Sequence, residues 1–346
     1  MFYNHKIAVV IPAYRVEHWI SEVIKGIPDF VDFIIVVEDC SVDRTSEKVI
    51  ELNLSNTILI RHKNNKGVGG AMETGFLEAL KLEADIIVKM DGDNQMNPEY
   101  LPALLYPLVQ NECDYIKGNR FNILDINKPM PAIRKVGNQA LTFLTKMSSG
   151  YWHVFDPQNG YLAIRASTLK KLKLDWIDDT YFFENSMLIN LNIIEARVSD
   201  VYIPARYGDE KSSMNIMKVL LKFPFKLLKG FFSRIFYRYI YLDLSPIAIL
   251  FVGGGVLLMG GTIWGLISWY IATVTGKPVP IGTFALGLVP ILIGFQMLLN
   301  AFILDIQHSP KGVRKIYDFS KDELRRMMEE AGISMRRPGE KQFKDK

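Results

Sequence analysis

The chain has 346 residues, with 41 Lys and Arg against 37 Asp and Glu, for a formal net charge of +4. So small a surplus leaves the chain close to neutral outside one basic stretch, and nothing else in it resembles a nucleic-acid module. Two cysteines, Cys40 and Cys113, exclude a disulfide framework, and no His/Cys cluster has zinc-ligand spacing.

Met1 to Lys6 lead directly into an apolar strand, so no signal peptide is read at the start. Short runs rich in Val and Ile then recur: Ile7 to Ile11 ending at Pro12, Phe33 to Val37 ending at Glu38 and Asp39, Thr57 to Ile60 ending in a polar Asn/Lys/Gly loop, and Asp85 to Met90 ending at Asp91-Gly92-Asp93. Helix patterns lie between them at Trp19 to Lys25, Thr45 to Leu52 and Gly70 to Leu82. Fully apolar strands alternating with helices predict an α/β domain with a mostly parallel sheet covered on both faces. In such sheets ligands sit at the carboxyl ends of the strands, where this chain places its polar residues each time.

From Lys211 to Asp243 there are seven basic residues and one acid. Lys218, Lys222, Lys226 and Lys229 recur along one helical stripe beside Val219, Leu220, Phe223, Phe225, Leu227, Leu228, Phe231 and Phe232. The pattern predicts helices lying in the headgroup layer, broken at Pro224 and Gly230, with the lysines toward anionic lipid. Ile247 to Val274 and Pro278 to Leu304 are apolar runs with only Lys277 at their junction. Each exceeds the roughly 20 residues that cross a bilayer core, and the short Thr275-Gly276-Lys277 junction makes them a hairpin. Lys311, Arg314 and Lys315 follow it, so the positive-inside rule puts the large domain and both termini in the cytoplasm. The expected organisation is residues 1–210 as the α/β domain, 211–243 as basic amphipathic helices, 244–305 as the two spans and 306–346 as a cytoplasmic tail.

Asp91-Gly92-Asp93-Asn94-Gln95 is the sharpest constellation. Two carboxylates flanking a glycine can hold a hard divalent cation against diphosphate oxygens, and Gln95 adds a neutral oxygen. Such triplets are common in surface turns; delivery by a buried strand to the functional edge of the sheet is what raises this one. In Lys66-Gly67-Val68-Gly69-Gly70-Ala71-Met72 the third glycine of a dinucleotide fingerprint falls on Met72, so the segment reads as a helix start packing closely near a nucleotide, or as a structural turn.

In order, Val10-Ile11-Pro12-Ala13-Tyr14, Val36-Val37-Glu38-Asp39 with its following Ser41 to Thr45, Asn65 to Ala71, and Asp91 to Gln95 resemble the successive motifs of family 2 glycosyltransferases of the GT-A fold. With the hairpin, the chain is most similar to the polyprenyl-phosphate glycosyltransferases, which include dolichyl-phosphate mannose synthases and bacterial undecaprenyl-phosphate glucosyltransferases. The resemblance implies that Pro12, Tyr14 and Asp39 line the nucleotide pocket, Asp39 facing the base. It implies Asp91 and Asp93 at the nucleotide and a Mg2+ or Mn2+ ion, with Gln95 completing the metal site. Arg120 matches an arginine near the phosphates, Arg134 and Asn138 match residues receiving the lipid phosphate, and Arg206 with Lys211 as companion matches a late loop over the donor. Arginine suits these places because its planar fork binds phosphate oxygens bidentately.

The sequence departs from the family at three places: Arg15-Val16 stands for Asn-Glu, Glu38 for the first Asp of a pair, and Glu184-Asn185 for a Glu-Asp pair that often supplies a base. Asp156 is then the best remaining carboxylate to orient the sugar or act as base. The implied activity is inverting, metal-dependent transfer of one sugar from a nucleotide-diphosphate sugar, UDP-hexose by default, to undecaprenyl phosphate at the bacterial inner membrane, making a lipid-linked sugar for the cell envelope. Nucleic acid is not an expected partner, and self-association stays open. A processive polysaccharide synthase would ordinarily carry more spans and an Arg-Trp signature that is missing here; a non-catalytic scaffold should have lost Asp91 and Asp93.

Overall fold

The computed structural model describes residues 1–120, 132–204 and 216–333, with side chains from 139 onward in the second stretch and from 222 onward in the third. The chain divides into two units, Met1–Leu227 together with the segment from Pro310, and Leu228–Ser309.

In the first unit the elements run β1 (Ile7–Ala13), α1 (Ile20–Gly26), β2 (Phe33–Glu38), α2 (Thr45–Glu51), β3 (Thr57–Arg61), α3 (Gly67–Lys81), β4 (Ile86–Lys89), α4 (Leu101–Val109), β5 (Tyr115–Asn119), α5 (Ala132–Ser149), β6 (Leu162–Arg165), the single turn α6 (Ala166–Leu169), α7 (Phe183–Ile193) and β7 (Val198–Tyr202). Every strand and helix expected from the apolar runs is present, with ends moved by a few residues at most. Successive side chains of a strand point to opposite faces, so β1 sends Val9 and Ile11 into one apolar layer and Ala8 and Val10 into the other. The first layer is closed by Ile20, Val23 and Ile24 of α1 and Leu101, Leu104 and Leu105 of α4; the second by Met72 and Phe76 of α3 and Phe183 and Met187 of α7. Gly75 lets α3 approach the sheet: a Cβ there would lie 2.2 Å from Val10 Cγ1.

The eight-stranded sheet has the order β3-β2-β1-β4-β6-β5-β7-β8, where β8 is Lys311–Tyr317. Only β6 runs antiparallel to its neighbours, so β1, β2, β4 and β5 present their carboxyl ends at one edge. The parallel pairing of β8 with β7 corrects the expected tail. Residues after the second apolar helix return to the sheet, and α11 (Lys321–Glu330) adds Leu324, Met327 and Met328 to the first apolar layer. Tyr317 Oη donates to Glu112 and Ser199 Oγ to the Arg314 carbonyl, fixing the strand from both sides. The sheet unit therefore includes the C-terminal segment and does not end near residue 210.

Helix α8 (Ile216–Ile235) is continuous, with Pro224 inside it, where a break was expected. A proline removes one backbone donor and crowds the preceding turn, and here the flanking Phe223 and Leu227 are buried against Leu141, Leu144, Phe182 and Ile189. Lys226 does not join a free lysine stripe: its Nζ lies 2.5 Å from Asp178 Oδ2, while Lys222 and Lys229 are exposed. Lys218 lies outside the described side chains.

The second unit contains a π-helical segment, Phe236–Tyr241, and the long helices α9 (Pro246–Thr275) and α10 (Ile281–Gln307), joined through Gly276 in the left-handed conformation at φ 65°. Both are long and apolar enough to cross a membrane, and only 22% and 17% of their most apolar stretches are buried. Buried core helices of a soluble protein would show the reverse. The pair is held by glycines seven residues apart. A Cβ at Gly261 would meet the Gly287 carbonyl at 2.7 Å, and one at Gly294 would meet the Gly254 carbonyl at 2.7 Å, so backbone lies directly on backbone. Arg234 and Arg238, two residues of the expected basic stretch, are buried in this unit. Arg234 forks onto Asp305 at 2.6 and 2.8 Å, Tyr239 Oη donates to the same carboxylate, and Arg238 donates to the His308 carbonyl.

Candidate active site

The carboxyl ends of β1, β2, β4 and β5 gather the sequence candidates at one edge. Asp39 N donates to the Ala13 carbonyl at 2.9 Å, tying the end of β2 to the end of β1, where Pro12 and the exposed Tyr14 sit. Arg15, at φ 58°, lays its guanidinium 5.1 Å over the Tyr14 ring. Asp39 is nearly fully buried, and its carboxylate is engaged by the protein itself. Oδ1 accepts from Lys66 N at 2.8 Å and lies 2.7 Å from His62 Nδ1, and Oδ2 accepts from Gly67 N at 2.8 Å. Asp39 thus braces the glycine-rich start of α3. Glu38, standing where the family has Asp, accepts from Ser41 N and Ser46 Oγ and holds the loop into α2.

At the end of β4, Lys89 is buried to 1% exposure and its Nζ reaches Asp91 Oδ1 at 2.6 Å, Glu184 Oε1 at 3.4 Å and the Gly160 carbonyl at 3.3 Å. Burial alone would push the lysine pKa down, but the charges and hydrogen bonds of Asp91 and Glu184 more than offset this and hold it above the ordinary value. Gly160 makes the room: a Cβ there would sit 2.5 Å from Lys89 Nζ and 2.8 Å from Asp91 Oδ2. Asp93 Oδ1 accepts from Gln95 N at 3.1 Å across Asn94, which is left-handed at φ 61°. Asp91, Asp93 and Gln95 offer two carboxylates and an amide oxygen, an all-oxygen set of the kind that hard divalent ions take. Among the described residues no group of three or more His, Cys, Asp or Glu converges. An ion held here would have to take most of its shell from ligand oxygens such as those of a diphosphate.

Arg120 and Asp156 lie 36 residues apart in sequence and meet as a fork, with Nε on Oδ2 at 2.8 Å and Nη2 on Oδ1 at 3.2 Å. Asp156 is buried and Arg120 about half exposed, so the carboxylate holds the guanidinium at the site edge. The loop that carries Asp156 is pinned from below. Lys117 Nζ donates to the Asn159 carbonyl at 2.7 Å, Asn159 Nδ2 to the Gly118 carbonyl at 2.7 Å, and Phe155 N to Asp200 Oδ2 at 2.6 Å. Burial drives the Lys117 pKa down to about 8 and the Asp200 pKa up to about 7. Arg134 and Asn138 fall in the first turns of α5, their side chains outside those described; Arg206 and Lys211 lie outside the described residues.

Sequence reasoning missed Lys89, and Glu184 entered it only as a family position. The signal for Lys89 was present as a lysine ending an otherwise apolar buried strand, two residues from Asp91 and so on the same face. Glu184 lies in the first turn of α7, next to Asn185, whose Oδ1 accepts from Gln158 Nε2 at 3.2 Å.

Comparison with known proteins bears on the family and the fold. Over 216 residues the chain is 34% identical to a UDP-N-acetylglucosamine–dolichyl-phosphate N-acetylglucosaminyltransferase of Methanococcus voltae, covering 57% of this chain and 86% of that protein. It is 28% identical over 190 residues to an undecaprenyl-phosphate mannosyltransferase of Micrococcus luteus, covering 53% and 77%. A crystal structure of glucosyl-3-phosphoglycerate synthase from Mycobacterium tuberculosis, solved with Mn2+, UDP-glucose and phosphoglyceric acid, superposes with a TM-score of 0.51 at 21% identity over 67% of this chain and 80% of that one. That likeness bears on the fold, which is GT-A-like. Glycosyl transferase family 2 matches residues 8–173, and the chain belongs to that family as a glycosyltransferase whose relatives include polyprenyl-phosphate enzymes.

Proposed function

We propose that the protein transfers a single sugar from a nucleotide-diphosphate sugar to a polyprenyl phosphate in the membrane. The observation that carries this reading is the match to most of the length of a dolichyl-phosphate N-acetylglucosaminyltransferase, in a chain that adds two exposed apolar helices of spanning length. A phosphate monoester is anionic at neutral pH, so its oxygen attacks the anomeric carbon without surrendering a proton to the protein. The bond from that carbon to the diphosphate breaks, and a single displacement inverts the centre. What remains for the protein is to position both substrates and to stabilise the leaving charge.

Asp91, Asp93 and Gln95 would hold Mg2+ or Mn2+, which supplies positive charge to the leaving diphosphate. Arg120, held by Asp156, adds a guanidinium on the side of β5, and Asp156 serves better as the holder of Arg120 than as a base because both its oxygens are taken. Pro12 and Tyr14 line the nucleotide, with Asp39 setting the shape of the glycine loop beside it. Glu184, fixed by Lys89, is assigned to the sugar. Arg134 and Asn138 are assigned to the acceptor phosphate, and Arg206 with Lys211 to closure over the donor. UDP is the assigned nucleotide and undecaprenyl phosphate the assigned acceptor, with the sheet domain and both termini cytoplasmic.

The test is incubation of the purified protein with Mg2+ or Mn2+, undecaprenyl or dolichyl phosphate, and a panel of UDP- and GDP-sugars. One lipid product carrying one sugar is expected. A polymer, or no product with any combination, would reject the reading. Cysteine labelling in intact cells is expected from outside at position 276 and not at position 340.

A further inference from the structure

The glycines at the start of α3 have a partner that is not a nucleotide. A Cβ on Gly69 would lie 2.0 Å from the Asp178 carbonyl oxygen and 2.7 Å from Asp179 Cα, and one on Gly67 would lie 2.4 Å from the Asp179 carbonyl oxygen. Gly69 N donates to that Asp179 oxygen at 2.8 Å. The loop from Lys66 to Gly70 is therefore clasped between two supports, Asp39 on one side and the backbone of residues 178–180 on the other.

The second support is in turn held by helix α8. Asp178 Oδ1 accepts from Thr180 N at 2.9 Å and from Thr180 Oγ1, closing the turn on itself, which leaves Oδ2 for Lys226 Nζ at 2.5 Å. The same ammonium lies 3.5 Å from Thr180 Oγ1 and 5.4 Å from the centre of the Phe182 ring. Phe182 meets Phe223 edge-on at 5.3 Å, and the Leu227 carbonyl accepts from Ser148 Oγ of α5 at 2.7 Å. Phe223, Lys226 and Leu227 are spaced as one helical face, and all three touch the sheet domain.

We propose that Lys226 and Asp178 are positioning residues for the donor-side glycine loop, so that the seating of α8 on the 178–182 turn sets the geometry of the start of α3. The route is short: Lys226 to Asp178, one residue on to the Asp179 carbonyl, then to Gly69 N and the loop whose Lys66 and Gly67 amides hold Asp39. The ion pair is partly exposed, 37% on the lysine and 22% on the carboxylate, and contributes modestly to stability by itself. Its consequence lies in where it holds the turn, because the glycines leave no slack between turn and loop. The proposal rests on the donor reading above for its kinetic arm alone.

Amide hydrogen exchange and kinetics on the full chain in nanodiscs of phosphatidylcholine and phosphatidylglycerol test it. In Lys226→Met the Gly69 amide is expected to exchange at least tenfold faster than in the unaltered protein, and the donor KM to rise about fivefold. The acceptor KM and kcat should stay within twofold, and Lys226→Arg should restore both readouts. Asp178→Asn, which keeps an oxygen for Thr180, repeats the test if Lys226→Met does not fold. A wild-type exchange rate at Gly69 in these variants overturns the proposal, as does a parallel change in donor and acceptor KM. Loss of all transfer in the unaltered protein with the exchange response intact would reject the proposed function and leave the coupling standing.

Discussion

Lys89→Met removes a buried cation from between two carboxylates. With an effective dielectric near 20, unit charges at the observed 2.6 and 3.4 Å attract by about 6 and 5 kcal/mol before desolvation is counted. Burying the ammonium and its partners returns most of that, and breaking such a pair from one side typically costs about 3–5 kcal/mol because the remaining charge is left uncompensated. A domain of this size loses roughly 2–4 °C of melting temperature per kcal/mol, so Lys89→Met is expected to melt at least about 6 °C lower and to raise the donor KM. The second substitution Glu184→Gln removes one of the two stranded carboxylates, so the double variant should recover a large part of the loss. Because the folded lysine has a raised pKa, its contribution is fully present below about pH 10.4, the unfolded value, and is lost only as pH climbs through the higher folded value. Thermal melts of the detergent-purified protein at pH 7.5, with donor kinetics alongside, decide the matter. A change below about 1 kcal/mol with an unaltered donor KM would refute the reasoning, since it would mean that Asp91 and Glu184 need no cation between them.

Asp93→Ala should abolish transfer while leaving the melt and membrane fraction unchanged, because Asp93 lies at a partly exposed strand end; near-normal turnover at saturating Mn2+ would count against the ion site. Asp200 carries a folded pKa of about 7, pushed up chiefly by burial, so it takes up a proton on folding. Its stabilisation is complete below about pH 4 and is lost as pH rises through about 7. Asp200→Asn should therefore flatten the stability profile between pH 4 and 8 and melt higher than the unaltered protein at pH 8, as read by melts across that range. Truncation after Ser309 should leave the sheet domain insoluble or protease-sensitive, since it strips Tyr317, Leu324, Met327 and Met328 from the core, each contributing about 1.5–3 kcal/mol by burial; a soluble, cooperatively melting product would show that β8 and α11 are dispensable.

The first four strands were legible because β-branched runs without charge have few other places to go, and each ended in the polar residues that mark the functional edge. The hairpin was legible for the same reason on a longer scale. What escaped was non-local. The partner of β8 lies more than a hundred residues earlier, and a strand reading Lys-Gly-Val-Arg-Lys-Ile-Tyr is too charged to declare itself from one face. The start of α11 did carry a local sign, the reciprocal capping of Ser320 and Glu323 ahead of Leu324, Met327 and Met328. The Arg120 and Asp156 fork could not be read from spacing, because it depends on an antiparallel β6 that returns its loop to the edge beside β5. Lys226 misled because a lysine on an amphipathic helix looks the same whether it faces lipid or a carboxylate.

The pairing of β8 with β7 also constrains the membrane arrangement more firmly than the distribution of lysines does. β7 precedes the two apolar helices and β8 follows them, yet the two pair side by side in one sheet, which a bilayer between them would forbid. If α9 and α10 cross, the chain must come back to the face it left, so the number of crossings is even whatever the charges say. The charge argument is weaker than the sequence suggested, since Arg234 is neutralised by Asp305 and Arg238 is buried on a carbonyl. Lys222 and Lys229 remain exposed on the helix before the hairpin. Were the two helices to cross, the strand before them and the strand after them would lie on one side of the bilayer, which is what the proposed reaction between a soluble nucleotide sugar and a lipid phosphate at the headgroup level requires. An enzyme on the opposite face from its nucleotide sugar would have no donor, and one that floated free would have to lift its acceptor out of the bilayer.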